Sequence, residues 1–171
     1  VIKTANLRAG PGTTFAIVGS AQAGQSVTIL SKNATGDWYQ IGEGKWIAAF
    51  LVKLISLPAG LIEATVTKIV DGDTIHVMIG GTDYPLRYIG IDTPERNDPL
   101  FGAKATAANR QLVEGETVYL ESDVSDVDRY NRLLRYVYLA DGRMVNEALA
   151  EQGWAYAKAY APDTKYQSRL V

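Results

Sequence analysis

The feature that most limits what this chain can fold into is a break about one third of the way along it. Residues 55–60 read Ile-Ser-Leu-Pro-Ala-Gly, and proline and glycine so close together punctuate a chain and mark a linker. Residues 1–54 and 61–171 must then each bury a small core of their own, which is feasible because barrels of about 60 residues fold alone. Before the break, residues 27–30, 38–41 and 45–48 read as short strands between Gly, Asn and Asp turns, and no helical period interrupts them. That segment is predicted to be all-β. After it, residues 61–70, 74–79 and 84–89 are β-rich and are joined by Asp71-Gly-Asp73 and by Gly80-Gly-Thr-Asp83, both hairpin signals. The period changes over residues 102–113, where Ala105, Ala108 and Leu112 give a helix a narrow apolar face. Residues 117–121 and 133–139 return to strand. Val145, Ala148 and Leu149 mark a second helix, and Gly153 stands where a left-handed cap would stop it. The order β-β-β-α-β-β-α predicts an α+β barrel-type domain.

Composition narrows the chemistry. With 47% hydrophobic and 21% charged residues the chain can bury a core, and no window approaches the roughly 18 consecutive apolar residues of a membrane span. Cysteine is absent, which excludes disulfides, thiolate metal sites and a cysteine nucleophile; any metal site has to be built from carboxylates. No basic stretch followed by an apolar one opens the sequence, so an export signal is expected to have been removed or to lie outside it. Charge divides unevenly: residues 1–60 carry five Lys and Arg against two Asp and Glu, and residues 61–171 carry 12 against 17. An acidic second half would need a bound cation and a few aimed arginines to handle nucleic acid.

Three clusters supply such groups: Val70-Asp-Gly-Asp-Thr74, Arg87-Tyr-Ile-Gly-Ile-Asp-Thr-Pro-Glu95 and Asp128-Arg-Tyr-Asn-Arg132. Hard cations such as calcium take oxygen ligands. Phosphodiester hydrolysis needs fixed positive charge near phosphorus and a base near the attacking water. Taken singly, each cluster has an ordinary reading: Asp71-Gly-Asp73 as a turn, Arg87 or Arg132 as a surface charge, Tyr130 as a packed aromatic. An EF-hand is excluded, because the twelfth position of a loop starting at Asp71 is Thr82 and not Glu. His76, the only histidine, reads as an ordinary strand residue and not as a general base.

In combination and in this order, the clusters resemble the staphylococcal (micrococcal) nuclease family from Leu61 to about Pro162, and the tract Gly142-Arg-Met-Val-Asn-Glu-Ala-Leu149 is similar to that family's second helix. The resemblance implies a five-stranded oligonucleotide-binding-type barrel with packed helices that hydrolyses DNA and RNA with Ca2+. It implies Asp73 and Asp92 as carboxylate ligands, with the Thr93 carbonyl beside them. Glu95 would be the general base or water-orienting group, and Arg87 and Arg132 would grip the scissile phosphate. Arg129 and Tyr130 would hold a neighbouring phosphate, and Tyr160 would contact a nucleotide. The family domain ends in a long third helix, which residues 163–170 begin to resemble, so this helix is expected to be cut short.

Residues 1–54 resemble the bacterial Src-homology-3-like family through Asn6-Leu-Arg-Ala-Gly-Pro-Gly-Thr13, Gly36-Asp-Trp-Tyr39 and Gly44-Lys-Trp-Ile47. That likeness implies a small barrel with a cell-wall or protein ligand; a spacer whose Trp38 and Trp46 are core residues is an equal alternative. The two likenesses together imply a secreted or envelope-associated bacterial protein. Besides an active phosphodiesterase, two other classes stay open: a catalytically dead nucleic-acid or protein scaffold, and an envelope-binding module in which the barrel is the main function.

Overall fold

A computed structural model describes residues 1–54 and 57–171. The chain forms two compact units, Val1–Ile55 and Ser56–Val171. Of the expected linker, Ile55 and Ser56 lie outside the described residues.

The first unit is one antiparallel sheet of β1 (Ala5–Arg8), β2 (Ile17–Ala21), β3 (Ser31–Lys32), β4 (Trp38–Gly42) and β5 (Lys45–Ala48), in the order β2-β1-β5-β4-β3. Its core is small, with Ala5, Leu7, Ala21 and Ile47 buried, and Trp38 is buried as well. Residues 27–30, expected as a strand, are not one; pairing with β4 begins only at Ser31, opposite Gln40. Val27 and Ile29 are half-buried while Thr28 and Leu30 are exposed, and the backbone bond from Leu30 N–H to the Gln40 carbonyl at 2.8 Å is not continued into a ladder over these residues. β1 and β2 were missed. They flank the Gly-Pro-Gly turn, and four of the five β2 residues face solvent, which leaves little apolar pattern to read.

The second unit is built on a closed barrel. Its strands are β6 (Ile62–Ile69), β7 (Thr74–Ile79), β8 (Thr82–Tyr88), β10 (Thr117–Glu121) and β11 (Leu133–Leu139), in the order β10-β11-β8-β7-β6. Closure leaves no free edge to pair with another chain. β7 and β8 turn through Gly80 and Gly81, both at positive φ (56° and 86°), as the tight hairpin anticipated from sequence requires. All pairings are antiparallel except β8 with β11, which run parallel with Leu86 opposite Leu133 and Arg87 opposite Leu134. Ile75, Val77, Leu86, Val118 and Val137 fill the interior, each essentially inaccessible. Against it pack α1 (Gly102–Val113), through Ala108 and Val113, and α2 (Val145–Glu151), through Val145 and Leu149; Ala105 of α1 is buried as well. Gly153 has φ 75°, the expected left-handed stop. Residues 167–170 form a short helix, α3 (Gln167–Leu170). A separate ribbon pairs β9 (Ile91–Asp92) with β12 (Tyr156–Ala157). No described helix is long and apolar enough to cross a membrane.

Asn146 explains why α2 carries an amide on its buried face. It is fully buried, its Oδ1 accepts from Val137 N–H at 2.9 Å, and its Nδ2 donates to the Ile89 carbonyl at 2.9 Å. It thus ties α2 to β11 and to the turn after β8. Asn146→Ala strands two buried backbone groups, each costing about 1–3 kcal/mol, so urea denaturation should register a loss of roughly 3 kcal/mol. A loss below about 1 kcal/mol would mean that water replaces the amide.

Candidate active site

The closed barrel brings the three clusters together through register. Thr74 on β7 lies opposite Arg87 on β8, and β11 begins beside β8 immediately after Arg132. Residues 71–74, Arg87 and the 128–132 turn therefore share one end of the barrel. The β9–β12 ribbon, with Asp92 opposite Tyr156, closes one side. The result is a cleft of about 740 Å³ whose walls include Asp71, Arg87, Asp92, Glu95, Arg132 and Lys158.

Asp73 does not itself line the cleft; it is buried beside Arg87, at 1% exposure. Its Oδ2 accepts from the N–H and the hydroxyl of Thr93, at 2.7 and 2.8 Å. Gly72 makes this approach possible: a Cβ there would lie 2.6 Å from Thr93 Oγ1 and 2.8 Å from its Cβ. The Oδ1 of Asp73 meets Nη1 of Arg87 in an ion pair, and Nη2 of the same guanidinium donates to Asp92 Oδ1 at 2.8 Å. One arginine thus bridges the two carboxylates expected as cation ligands, and its side chain is only 17% exposed. Asp71 sits next to them. Burial pushes its carboxyl above the usual range, with Thr74 and Arg87 acting against that. Its turn is anchored by Asn109 on α1, fully buried, which donates to the Asp71 carbonyl at 2.9 Å while accepting from the Tyr88 hydroxyl at 2.8 Å. The same burial holds the Tyr88 phenol protonated far above its ordinary range.

Arg132 is aimed from the opposite wall. The Asp128 carboxylate organises the 128–132 turn, accepting from the N–H groups of Tyr130 and Arg132 at 2.9 Å each and from Nε of Arg132 at 2.7 Å. Asn131 closes the turn at φ 60°, a conformation Asn tolerates better than most residues. With one edge of its guanidinium fixed, Arg132 extends Nη1 toward Thr74 Oγ1, 3.5 Å away. Partial burial favours the neutral Asp128 acid, but the surrounding donors outweigh it, and the pKa falls below the usual carboxylate range. Arg129 and Tyr130 stack at the rim, with the guanidinium carbon 4.8 Å from the ring centroid. Tyr160 stands at 45% exposure on the cleft wall. Glu95 is exposed within the cleft, on a loop packed so closely against α1 that a Cβ on Gly102 would lie 2.1 Å from the Glu95 carbonyl oxygen.

Of the nine sequence-derived site residues, seven line the cleft, while Asp73 and Thr93 are buried and bonded to each other, with Asp73 paired to Arg87 of the cleft wall. His76 does not line the cleft; its Nδ1 lies 2.6 Å from Asp83 Oδ2. Lys158 was missed. Its Nζ is 2.7 Å from Asp92 Oδ2, and it was invisible because only the two-residue β12 positions it. Burial alone would raise the Asp92 pKa, but Lys158 and Arg87 more than offset that and hold it below the usual value. Among the described residues no three His, Cys, Asp or Glu side chains gather as a metal-binding group. A cation here would rest on Asp73, Asp92 and backbone oxygen, with the rest from water and ligand. That all-oxygen set suits a hard ion such as calcium.

The chain matches the family described as staphylococcal nuclease homologue over residues 85–171 and the bacterial SH3 domain over residues 3–52. It is 43% identical over 110 residues to a thermonuclease of Staphylococcus hyicus, covering 61% of this chain and 64% of that protein. It is 42% identical to the SPbeta prophage-derived endonuclease YokF of Bacillus subtilis (strain 168), covering 62% and 38%. To the endonuclease YncB of the same organism it is 41% identical, covering 62% and 53%. The chain thus spans between 38% and 64% of the length of these relatives.

Proposed function

Because the chain belongs to the family of staphylococcal nuclease homologues, we propose that its second unit is a calcium-dependent nuclease that hydrolyses phosphodiester bonds of DNA, RNA or both and leaves 3′-phosphate ends. The observation that carries this reading is the run of contacts Asp92–Arg87–Asp73–Thr74–Arg132–Asp128, which joins the two arginines of the cleft through buried Asp73 and Thr74. It sets two guanidinium forks among three carboxylates, those of Asp73, Asp92 and Asp128. Asp73, Asp92 and the Thr93 carbonyl would hold the calcium, and the chemistry a bound calcium supplies is Lewis-acid polarisation of a phosphate oxygen. Arg87 and Arg132 bind equatorial phosphate oxygens and stabilise the charge that grows on them. Glu95 takes a proton from water as that water bonds to phosphorus. The bond from phosphorus to the 5′ oxygen breaks in line, and that oxygen takes a proton from solvent water as it leaves. Arg129, Tyr130 and Tyr160 contact the flanking nucleotides. Asp73, Arg87, Asp92, Glu95 and Arg132 are all present around the cleft, which favours an enzyme over a scaffold that has lost its catalytic groups.

Incubation with single-stranded DNA, duplex DNA and RNA, each with calcium, tests the activity, and end-group analysis of the products tests the cleavage side. Products with 5′-phosphate would refute the assignment of the leaving oxygen. A location outside the cell or in its envelope belongs to the same reading and is supported by the match to a bacterial SH3 domain. Since all proposed site residues lie in the second unit, a chain lacking residues 1–57 should keep turnover on short oligonucleotides within a few-fold of the parent. A hundredfold loss in a fragment still folded by circular dichroism would make the first unit part of the site.

A further inference from the structure

Lys158 stands at a junction that the nuclease reading leaves unused. Its backbone is fixed, since β12 pairs with β9 and Lys158 N–H continues the ladder to the Gly90 carbonyl at 2.8 Å. Its side chain is free by comparison: 49% exposed, with Nζ 2.7 Å from Asp92 Oδ2 and 5.2 Å from the centre of the Tyr160 ring. Both oxygens of Asp92 are therefore engaged, Oδ1 by Arg87 and Oδ2 by Lys158. A cation that takes Asp92 as a ligand meets two positive charges already on that carboxylate, and their repulsion favours the departure of one of them. Arg87 is the harder to move, being only 17% exposed and held also by Asp73 and, at 3.4 Å, by the Ile91 carbonyl. Lys158 has one carboxylate partner, and an exposed pair of that kind is worth little. An ammonium on a flexible four-carbon stem can change partners without its backbone moving.

We propose that Lys158 couples cation binding to nucleic-acid binding: it is the counter-ion of Asp92 that an arriving calcium displaces, and the displaced ammonium then takes a phosphate of the substrate beside Tyr160. This rests on the calcium-dependent nuclease reading. A released ammonium in this cleft lacks its anion, and the phosphate backbone is the anion the substrate brings. By linkage, substrate that draws Lys158 away tightens calcium binding by the same factor by which calcium tightens substrate binding.

The test is calorimetric calcium binding by the full chain, by Lys158→Gln and by Lys158→Arg, without and with a phosphorothioate-linked DNA tetramer that is not cleaved. Without DNA, Lys158→Gln should bind calcium roughly threefold to tenfold tighter than the parent, because the competing ion pair is gone. The extra calcium affinity that DNA confers should shrink by a similar factor, while Lys158→Arg retains it. In cleavage assays the glutamine variant should show a raised KM and a salt dependence of log KM reduced by about one phosphate contact. A merely structural defect would weaken calcium binding, so the sign of that change decides. Equal or weaker calcium binding by Lys158→Gln, beside an active, calcium-binding parent, overturns the coupling alone. A parent that neither binds calcium nor cleaves nucleic acid overturns the nuclease reading and the coupling with it.

Discussion

Lysine in place of Arg87 or Arg132 should lower single-turnover cleavage at saturating calcium by at least about a hundredfold, the lower end of what one preorganised donor to a developing anion contributes. The charge survives the substitution; the fork does not. Arg132 uses Nε and Nη2 on Asp128 and keeps Nη1 facing Thr74. A lysine has one nitrogen and must choose between its anchor and the substrate. Arg87 spans Asp73 and Asp92 with its two terminal nitrogens, and a point charge cannot bridge both. An arginine aimed at a phosphoryl transition state can be worth roughly 10³ to 10⁵, so the loss has room to exceed the minimum. Glu95→Gln is the companion variant. It removes the proposed base while keeping the shape, and should cost about 10² to 10⁴ in rate while leaving calcium affinity largely intact. Near-parental rates for both lysine variants and for Glu95→Gln would relocate the catalysis.

Withdrawing calcium should have the largest effect of all. Lewis-acid stabilisation is worth several kcal/mol and each 1.36 kcal/mol is tenfold in rate, so excess chelator should reduce cleavage by about a thousandfold or more. Magnesium should restore it poorly. It demands near-ideal octahedral geometry and gives up water reluctantly, whereas Asp73 is fixed by two donors from Thr93 and is 1% exposed. Asp92→Asn should weaken calcium itself, separating a ligand defect from the rate defect of Glu95→Gln. Undiminished turnover in chelator would end the metal reading.

What the sequence disclosed depended on how local the cause was. The hairpin at Gly80-Gly81 and the stop at Gly153 were legible because positive φ favours glycine, and the positions carry it. α1 was legible from the spacing of Ala105 and Ala108, both buried. Asn109, on the same helix, was not, because a buried amide looks polar in sequence and gains its meaning only from Tyr88 and Asp71, far away in the chain. The site residues were recognised as motifs, but the partners that aim them were not: Asp128 as the anchor of Arg132, Thr93 as the donor to Asp73, and Lys158 on Asp92. Residues 27–30 erred in the other direction, since apolar alternation does not by itself supply a partner strand.

The parallel pairing of β8 with β11 also bears on how quickly the protein becomes functional after synthesis. β6, β7 and β8 are joined by short turns and can assemble early as a meander, whereas residues 86–88 meet residues 133–135 across a long span of chain that includes α1 and β10. Closing such a loop is paid for before its contacts reward it, and non-local pairing slows folding. That same pairing brings the 128–132 turn, just before β11, to the cleft that Arg87 also lines. On the proposed reading, a nascent chain that holds only the β6–β8 meander would not yet have Arg132 in place and should be inactive toward nucleic acid until the barrel closes.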